Sequence, residues 1–332
     1  MLNSNYSIDE FINKKNFEKI IFTAGPASLA KENISGLRPC FGRGDNDYEI
    51  LEKRVLKNLK ELSGHKEIIR MQGSASLAIE IMILNFLYGN ILVIDTGYYS
   101  KRLSDIISNS RSRFSKNNIN IKIINWKDLN SLEGNYDWVL SCYTETSCGL
   151  KLPMEVLFKL SKRLSAKLML DATASIGLEV NHHLADVIAF SSCKGLFGLT
   201  GASFIAFNEF PKNKVDSFYL NFANHFHRKM TGPYHSIASM DLILENYNYF
   251  QKSVLNNKKK FIEKFREFLV YPDDYQPNLC TYVSCKIKAN DDRAILYHPR
   301  SNFGGSVVCH LGEIHLGTSA KGNIIDALEP DL

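Results

Sequence analysis

Two charged side chains follow short apolar runs near the middle of the chain. Leu168-Met169-Leu170 ends in Asp171, and Val187-Ile188-Ala189-Phe190 is followed by Ser191-Ser192-Cys193-Lys194. Apolar runs this short, bounded by turn residues, are typical of strands in a sheet that is covered on both faces. If the two strands are neighbours, the carboxylate and the amine meet at one edge of the sheet. That edge is where open α/β sheets bind ligands.

A lysine and an aspartate in this arrangement suit the chemistry of pyridoxal 5'-phosphate. The Lys194 amine would condense with the aldehyde of the cofactor, and Asp171 would hydrogen-bond the pyridine nitrogen and keep it protonated. An exposed loop lysine is the simpler interpretation of Lys194 alone. That interpretation accounts neither for Asp171 nor for the loop described next, so we expect a cofactor site.

A loop of small residues, Gly73-Ser74-Ala75-Ser76, precedes an apolar helix predicted over 77–88. The free backbone N–H groups at the start of a helix, together with the helix dipole, bind phosphate without cationic side chains. A serine that merely caps the helix is the alternative, and one residue can do both. The loop is therefore our candidate for the phosphate site.

Five motifs occur in the order found in one enzyme family. The chain resembles class V aminotransferases of fold type I over about residues 23–249. The resemblance is strongest to 2-aminoethylphosphonate–pyruvate transaminases, followed by serine/alanine–glyoxylate transaminases. The motifs are T-A-G-P (23–26), G-S-A-S-L-A-I-E (73–80), E-T-S-C-G-L (145–150), D-A-T-A-S-I-G (171–177) and S-S-C-K-G (191–195).

The resemblance implies a role for each residue of the cofactor site. Tyr99 takes the position of a ring that stacks on the pyridine, Thr146 that of a hydroxyl that bonds the ring oxygen, and Thr231 that of a threonine that reaches the partner subunit's site. A core or surface tyrosine is the alternative for Tyr99. The implied cofactor-binding residues are Gly73, Ser74, Ala75, Ser76, Tyr99, Thr146, Asp171, Ser192, Lys194 and Thr231, and Lys194 is also the catalytic residue.

The candidate substrate-binding residues that the resemblance implies are Gly25, Arg43 and His310. Gly25 lies in the turn that approaches the substrate in relatives, although an ordinary turn is equally compatible with the sequence. Arg43 is a possible anion contact or a solvated loop residue. Relatives end in F-R-I-G, whose arginine binds the substrate carboxylate, and here His310 stands in that place. An arginine elsewhere would supply the charge, with Arg293, Arg300, Arg43 and Arg228 as open alternatives.

The fold implied by the resemblance is the α/β fold of type I PLP-dependent transferases. It has a mostly parallel seven-stranded sheet sandwiched by helices and a small C-terminal α+β domain. We expect an N-terminal arm (1–20), a large cofactor-binding domain (21–250) and a small domain (251–332). One long helix is predicted over 236–269. The predicted strands of the small domain are Tyr282–Ile287, Ala294–Tyr297, Val307–Leu311 and Ile314–Leu316.

Composition narrows the class of protein. The 332 residues carry a formal net charge of +5, with basic and acidic residues interleaved, which gives no case for nucleic-acid binding. There is no apolar run long enough for a membrane span and no apolar N-terminal leader. Seven scattered cysteines favour a reduced, cytoplasmic protein. His225, His227 and His235 lack a matching set of acids or cysteines, so we expect no metal site.

The resemblance to class V aminotransferases implies a homodimeric aminotransferase with shared active sites. It would move an amino group between a small anionic amine, such as 2-aminoethylphosphonate, and a 2-oxo acid such as pyruvate. The alternatives are a serine/alanine–glyoxylate type of transaminase, or a PLP-dependent lyase or decarboxylase acting on a related phosphonate or amino acid. A cofactor-binding scaffold without turnover is disfavoured because both Asp171 and Lys194 are present.

Overall fold

A seven-stranded sheet forms the centre of the molecule. The structure is a computed structural model that describes residues 7–27, 29–110, 119–301, 304–312 and 324–331. The described α-helices are α1 (Ile8–Phe17), α2 (Lys31–Ser35), α3 (Asn46–Ser63), α4 (Ala75–Phe86), α5 (Tyr98–Asn109), α6 (Met154–Arg163), α7 (Phe222–Phe226), α8 (Tyr234–Glu245) and α9 (Tyr247–Lys264). None of them is long and apolar enough to cross a bilayer.

The described strands fall into the central sheet and four two-stranded pairs. The central sheet contains β2 (Glu67–Gln72), β3 (Gly89–Asp95), β4 (Ile119–Asn125), β5 (Trp138–Cys142), β8 (Lys167–Asp171), β9 (Val187–Ser191) and β10 (Ala202–Phe207). The paired strands are β1 (Ile20–Phe22), β6 (Thr144–Glu145), β7 (Leu150–Lys151), β11 (Cys280–Val283), β12 (Lys286–Ala289), β13 (Ala294–Leu296), β14 (Ser306–Cys309) and β15 (Leu328–Asp331).

The strand order of the central sheet is β2-β10-β9-β8-β5-β3-β4. Only β10 is antiparallel to its neighbours β2 and β9, and the other pairings are parallel. The predicted fold class, a mostly parallel seven-stranded sheet with helices around it, is confirmed. Six strands therefore end at one edge, and the candidate residues follow β2, β3, β5, β8 and β9 at that edge.

The central strands are apolar on both faces because both faces are covered. In β8, Leu168 and Leu170 pack into the core on one side of the sheet, and Met169 packs into the core on the other side. The residues of β5, β9 and β10 are buried throughout. Since a strand alternates its side chains between faces, a continuous apolar run is what a sheet between two helical layers requires.

The predicted helix over 236–269 is wrong as a single element. The chain forms α8 and α9 instead, separated at Asn246, whose φ of −106° and ψ of 20° depart from helical values. The sequence shows no interruption at this break because both helices bury an apolar face, so the helical spacing of apolar residues continues from α8 into α9. Phe261 and Phe265 are fully buried and stacked with ring centroids 4.6 Å apart, as a shared face predicts.

The C-terminal part of the chain forms short strand pairs. The segment predicted as one strand, 282–287, is divided between β11 and β12, and the predicted strand 307–311 corresponds to β14. The predicted strand 314–316 lies outside the described residues. Strand β1 pairs with β13 in parallel, with Ile20 opposite Ala294, so a strand near residue 20 joins the C-terminal part. The domain boundaries at 20 and 250 stay a prediction.

Candidate active site

Lys194 lies in the turn after β9, beside the turn that follows β1. The Ala27 N–H donates to the Cys193 carbonyl at 2.7 Å, which ties the two turns together. Gly25 has a φ of +115°, and a Cβ at this position would lie 3.0 Å from Lys194 Cγ. A side chain at residue 25 would therefore crowd the lysine. The structure brings the predicted substrate turn and the predicted catalytic lysine together.

Asp171 ends β8 with its side chain buried, on the strand adjacent to the one that leads to Lys194. Oδ1 accepts hydrogen bonds from the backbone N–H (3.0 Å) and the hydroxyl of Thr173. Oδ2 faces an Arg102 nitrogen at 3.2 Å and the Cys142 thiol at 3.9 Å. A buried carboxylate needs such partners to offset the loss of hydration. They hold this carboxylate at the carboxyl end of its strand.

Arg102, on α5, joins three of the predicted site residues, and sequence reasoning missed it. One terminal nitrogen donates to Ser76 Oγ at 3.0 Å and the other to Asp171 Oδ2 at 3.2 Å. Its guanidinium carbon lies 5.0 Å from the centroid of the Tyr99 ring. The only signal in the sequence was its position three residues after Tyr99. The loop at Ser76 and the carboxylate of Asp171 therefore lie within the span of one guanidinium group.

The loop 73–76 has the geometry of an anion site at a helix start. Helix α4 begins at Ala75, two residues earlier than predicted, with Ser74 at the N-cap position. The Ser74 side chain makes no capping hydrogen bond in the described structure, so its hydroxyl is not used to close the helix. The first N–H groups of a helix lack intrahelical acceptors. The loop follows β2 at the same sheet edge as Asp171, and Arg102 links Ser76 to that carboxylate.

Tyr99 lies above this edge at the start of α5. The centroid of its ring is 5.9 Å from Lys194 Nζ. The N–H groups of Tyr99 and Ser100 donate to Glu145 Oε2 at 3.0 and 3.1 Å, and Ser147 N–H donates to Oε1 at 3.2 Å. Burial raises the pKa of the Glu145 carboxyl, and the hydrogen bonds from Ser147 and from these N–H groups oppose that rise. Glu145 therefore positions Tyr99 rather than touching a ligand.

Two other predicted residues lie close to this group. Thr146 is buried, and its hydroxyl hydrogen-bonds the phenol of Tyr297, which sequence reasoning did not assign to the site. Ser192 is fully buried, and its hydroxyl donates to the Leu199 carbonyl and lies 3.2 Å from the Ala202 carbonyl. The contacts of Ser192 close the loop after Lys194. Its role as a cofactor ligand stays a prediction.

Thr231 and Arg43 are not brought to the lysine within one chain. Thr231 is exposed before α8, next to Gly232, where a Cβ would lie 2.7 Å from the Arg70 guanidinium carbon. Arg43 is exposed in a turn between Gly42 and Gly44. The role of Thr231 in a partner subunit and that of Arg43 as an anion contact stay predictions.

His310 is placed where it cannot bind a substrate anion, and this prediction is corrected. Its ring is 1% exposed, packs 5.4 Å from the Phe261 ring and shares a hydrogen bond with the Thr281 hydroxyl at 2.9 Å. Burial, with a smaller contribution from the charge of Lys258, lowers the pKa of His310 to about 3. A neutral ring in an apolar core lacks the charge that recognises a carboxylate or phosphonate.

No group of three or more histidine, cysteine, aspartate or glutamate side chains suited to a metal ion occurs in the part of the chain that the structure describes. Of the three histidines considered above, His225 is buried and its Nε2 lies 2.6 Å from the Tyr219 carbonyl oxygen. The chemistry available at the sheet edge is therefore that of a lysine amine, a buried carboxylate and an anion-binding helix start.

The fold is that of the fold type I aminotransferases. An aspartate aminotransferase from Thermus thermophilus superposes with a TM-score of 0.74 at 17% identity, covering 88% of this chain and 93% of that one. An alanine–glyoxylate aminotransferase from Nostoc sp. has the same TM-score at 16% identity and covers 93% of both chains. At these identities the likeness shows the fold.

In sequence, the chain is similar to curated 2-aminoethylphosphonate–pyruvate transaminases, which confirms the resemblance predicted from the motifs. The protein from Pseudomonas aeruginosa is 26% identical over 198 residues, which cover 56% of this chain and 53% of the relative. The chain thus matches about half the length of these relatives. No family model matches it.

Replacing Glu145 by glutamine tests its positioning role. The amide would present N–H groups to N–H donors of the α5 turn, so Glu145→Gln should lower the free energy of unfolding by about 1–3 kcal/mol. The measurement is urea unfolding, with the exposed Glu133→Gln as the matched control. If both variants unfold like the parent protein, the carboxylate does not hold the turn.

The buried state of His310 predicts a loss of stability in acid. Its pKa lies near 3 in the folded protein and near 6.5 in the unfolded chain, so the unfolded chain binds the proton more readily between these pH values. Stability falls as the pH drops below 6.5. Between pH 7.5 and pH 5 the parent protein should lose about 2 kcal/mol more free energy of unfolding than His310→Gln. Equal losses in the two proteins would mean that the histidine is hydrated or charged when folded.

Proposed function

We propose that the protein is a pyridoxal 5'-phosphate-dependent aminotransferase. It would transfer an amino group between a small anionic amine of the 2-aminoethylphosphonate type and a 2-oxo acid such as pyruvate. The observation that carries the proposal is the meeting of Lys194, Asp171 and the loop 73–76 at one sheet edge, on the fold of known aminotransferases. The similarity to 2-aminoethylphosphonate–pyruvate transaminases supports the substrate class.

The residues present fit this cofactor. Arg102 contacts both Ser76 and Asp171, so the loop 73–76 and the buried carboxylate are separated by little more than one guanidinium group. One small molecule could therefore place its phosphate at the loop and its ring nitrogen at Asp171. Arg102 Nε is buried without a hydrogen-bond acceptor among the described residues, which leaves a donor for a bound group. Gly25 keeps the space beside Lys194 free of a side chain. Tyr99 provides an aromatic face for a flat ring.

Each of these residues has a separate role in the proposed reaction. When bound, the cofactor supplies an electron sink that stabilises negative charge on the substrate carbon next to nitrogen. Asp171 would hold the proton on the ring nitrogen, and the start of α4 would bind the phosphate. Tyr99 would fix the plane of the ring. Thr146 and Tyr297 would line the side on which the ring oxygen lies.

Lys194 would carry the chemistry of proton transfer. Its amine would bind the cofactor between turnovers and, once displaced by the incoming amine, act as general base and then general acid at the substrate carbon. Lys194 lies in the turn after β9. A 2.7 Å hydrogen bond from Ala27 N–H to the Cys193 carbonyl holds the backbone of this turn against the Gly25 turn. Movement of the amine is therefore mainly that of the lysine side chain. Such restriction keeps the amine near the atom that loses the proton.

The proposal includes a homodimer with shared active sites, located in the cytoplasm. Exposed Thr231 would complete the phosphate site of the partner subunit, as the resemblance implies. All seven cysteines are free, and Cys142, Cys148, Cys280 and Cys309 are buried, which is typical of proteins in a reducing compartment.

A PLP-dependent lyase or decarboxylase acting on a related phosphonate or amino acid is the second candidate. The burial of His310 favours it, because that position carries the substrate-binding arginine of the resembled transaminases. A changed anion site alters which bond of the substrate is aligned with the ring, and this alignment decides the reaction type.

The half-reaction distinguishes the two candidates. Protein loaded with cofactor should absorb near ~420 nm, and 2-aminoethylphosphonate without an acceptor should replace that band by one near ~330 nm. Lys194→Ala should lack the first band, whereas the exposed-lysine control Lys122→Ala should keep it. Pyruvate should then restore the ~420 nm band in the parent protein.

A parent protein whose band persists with 2-aminoethylphosphonate, alanine and serine, and which releases carbon dioxide or another fragment from a related substrate, would contradict the aminotransferase and favour the lyase. Conversion with alanine and glyoxylate alone would point to the serine/alanine–glyoxylate type.

A further inference from the structure

Two arginines flank strand β13, one before it and one after it. Arg293 precedes the strand and Arg300 follows it by four residues. Because β13 is parallel to β1, the segment after β13 runs in the same direction as the Gly25 turn after β1. That turn contacts Lys194. The pairing therefore directs residues 297–300 toward the active site and leaves Arg293 at the opposite end of the strand.

The contacts of Arg300 place it at the mouth of the site. One terminal nitrogen donates to the Tyr98 hydroxyl at 3.2 Å, and the guanidinium carbon lies 5.4 Å from the centroid of that ring. The Tyr98 ring packs edge-on against Tyr99 with centroids 5.3 Å apart, and the Tyr99 ring lies 5.9 Å from Lys194 Nζ. A short series of ring contacts thus connects the guanidinium to the reactive amine.

The charge of Arg300 is not neutralised by a carboxylate among the described residues, whereas two other candidate arginines are paired. Arg293 donates to Asp291 at distances from 2.6 to 3.2 Å, and Arg228 lies 2.9 Å from Glu52 Oε2. Arg43 is exposed in a turn between Gly42 and Gly44. Arg300 is exposed, and its one hydrogen bond among the described residues is to the Tyr98 phenol, so most of its planar set of donors remains available for an anion.

We propose that Arg300 binds the anionic group, phosphonate or carboxylate, of the substrate and supplies the charge that His310 lacks. Tyr98 positions the guanidinium, and a long side chain anchored at one nitrogen can reach into the site when substrate is present. The proposal rests on the proposed function and extends it by naming the residue that selects anionic substrates.

The test measures anion binding without turnover. Ethylphosphonate and propionate lack the amine and differ only in their charged group, so calorimetric titration of each into the cofactor-loaded full-length protein reports the anion site. Arg300→Gln should raise the dissociation constant about 10- to 100-fold, and Arg300→Lys should have an intermediate effect because an ammonium keeps the charge but loses the fork. Arg293→Gln removes the same charge at the opposite end of β13, just before the strand, and should bind like the parent.

The outcomes separate this proposal from the proposed function. A loss of binding confined to the Arg300 variants supports the proposal, and the anion that binds more tightly to the parent defines the substrate class. Equal weakening in Arg293→Gln, unchanged binding in Arg300→Gln, or no binding of either anion to the parent would overturn it. The visible band of the bound cofactor is recorded on the same samples. Its absence from the parent protein would instead overturn the proposed function, and its persistence in the Arg300 variants shows that they are folded and loaded.

Discussion

The buried carboxylate of Asp171 is the constraint around which the candidate site is built. A carboxylate removed from water at the end of an apolar strand is unfavourable unless donors surround it. Thr173 supplies two of them from the following turn, and Arg102 supplies a third from α5. Since Arg102 also donates to Ser76, satisfying this one carboxylate links the loop 73–76 to the end of β8.

The second constraint is the direction of the strands. Five neighbouring strands run parallel, so the turns that carry Tyr99, Thr146, Asp171 and Lys194 all lie at one edge. Lys194 lies in a turn that is hydrogen-bonded to residues 25–27. Residue 25 is a glycine, and a Cβ at this position would crowd the lysine side chain. Strand β13, in the C-terminal part of the chain, is parallel to β1. The segment after β13, which contains Arg300, therefore runs in the same direction as the Gly25 turn.

Much of this arrangement could be predicted from the sequence, and the remainder depended on contacts that a sequence does not display. Strands buried on both faces give continuous apolar runs, so the runs 168–170 and 187–190 predicted β8 and β9. Asp171 ends β8, and Lys194 lies in the turn after β9. The break between α8 and α9 was missed because both helices bury apolar residues in one continuing pattern.

Residue roles that depend on orientation were the hardest to predict. His310 aligned with a substrate-binding position, but the direction of its side chain follows from the pairing of β11 with β14 and from packing on Phe261. Arg102 and Tyr297 had no motif of their own. Their roles follow from contacts with residues distant in sequence, Asp171 and Thr146 respectively.

The central claim is that Lys194 carries the cofactor, and chemical trapping tests it most directly. Borohydride converts the bond between a lysine amine and a bound aldehyde into a stable secondary amine. After reduction of the cofactor-supplemented protein and digestion, mass spectrometry should find the pyridoxyl phosphate group on the peptide that contains Lys194. Its presence on another lysine, or its absence from the protein, would contradict the account.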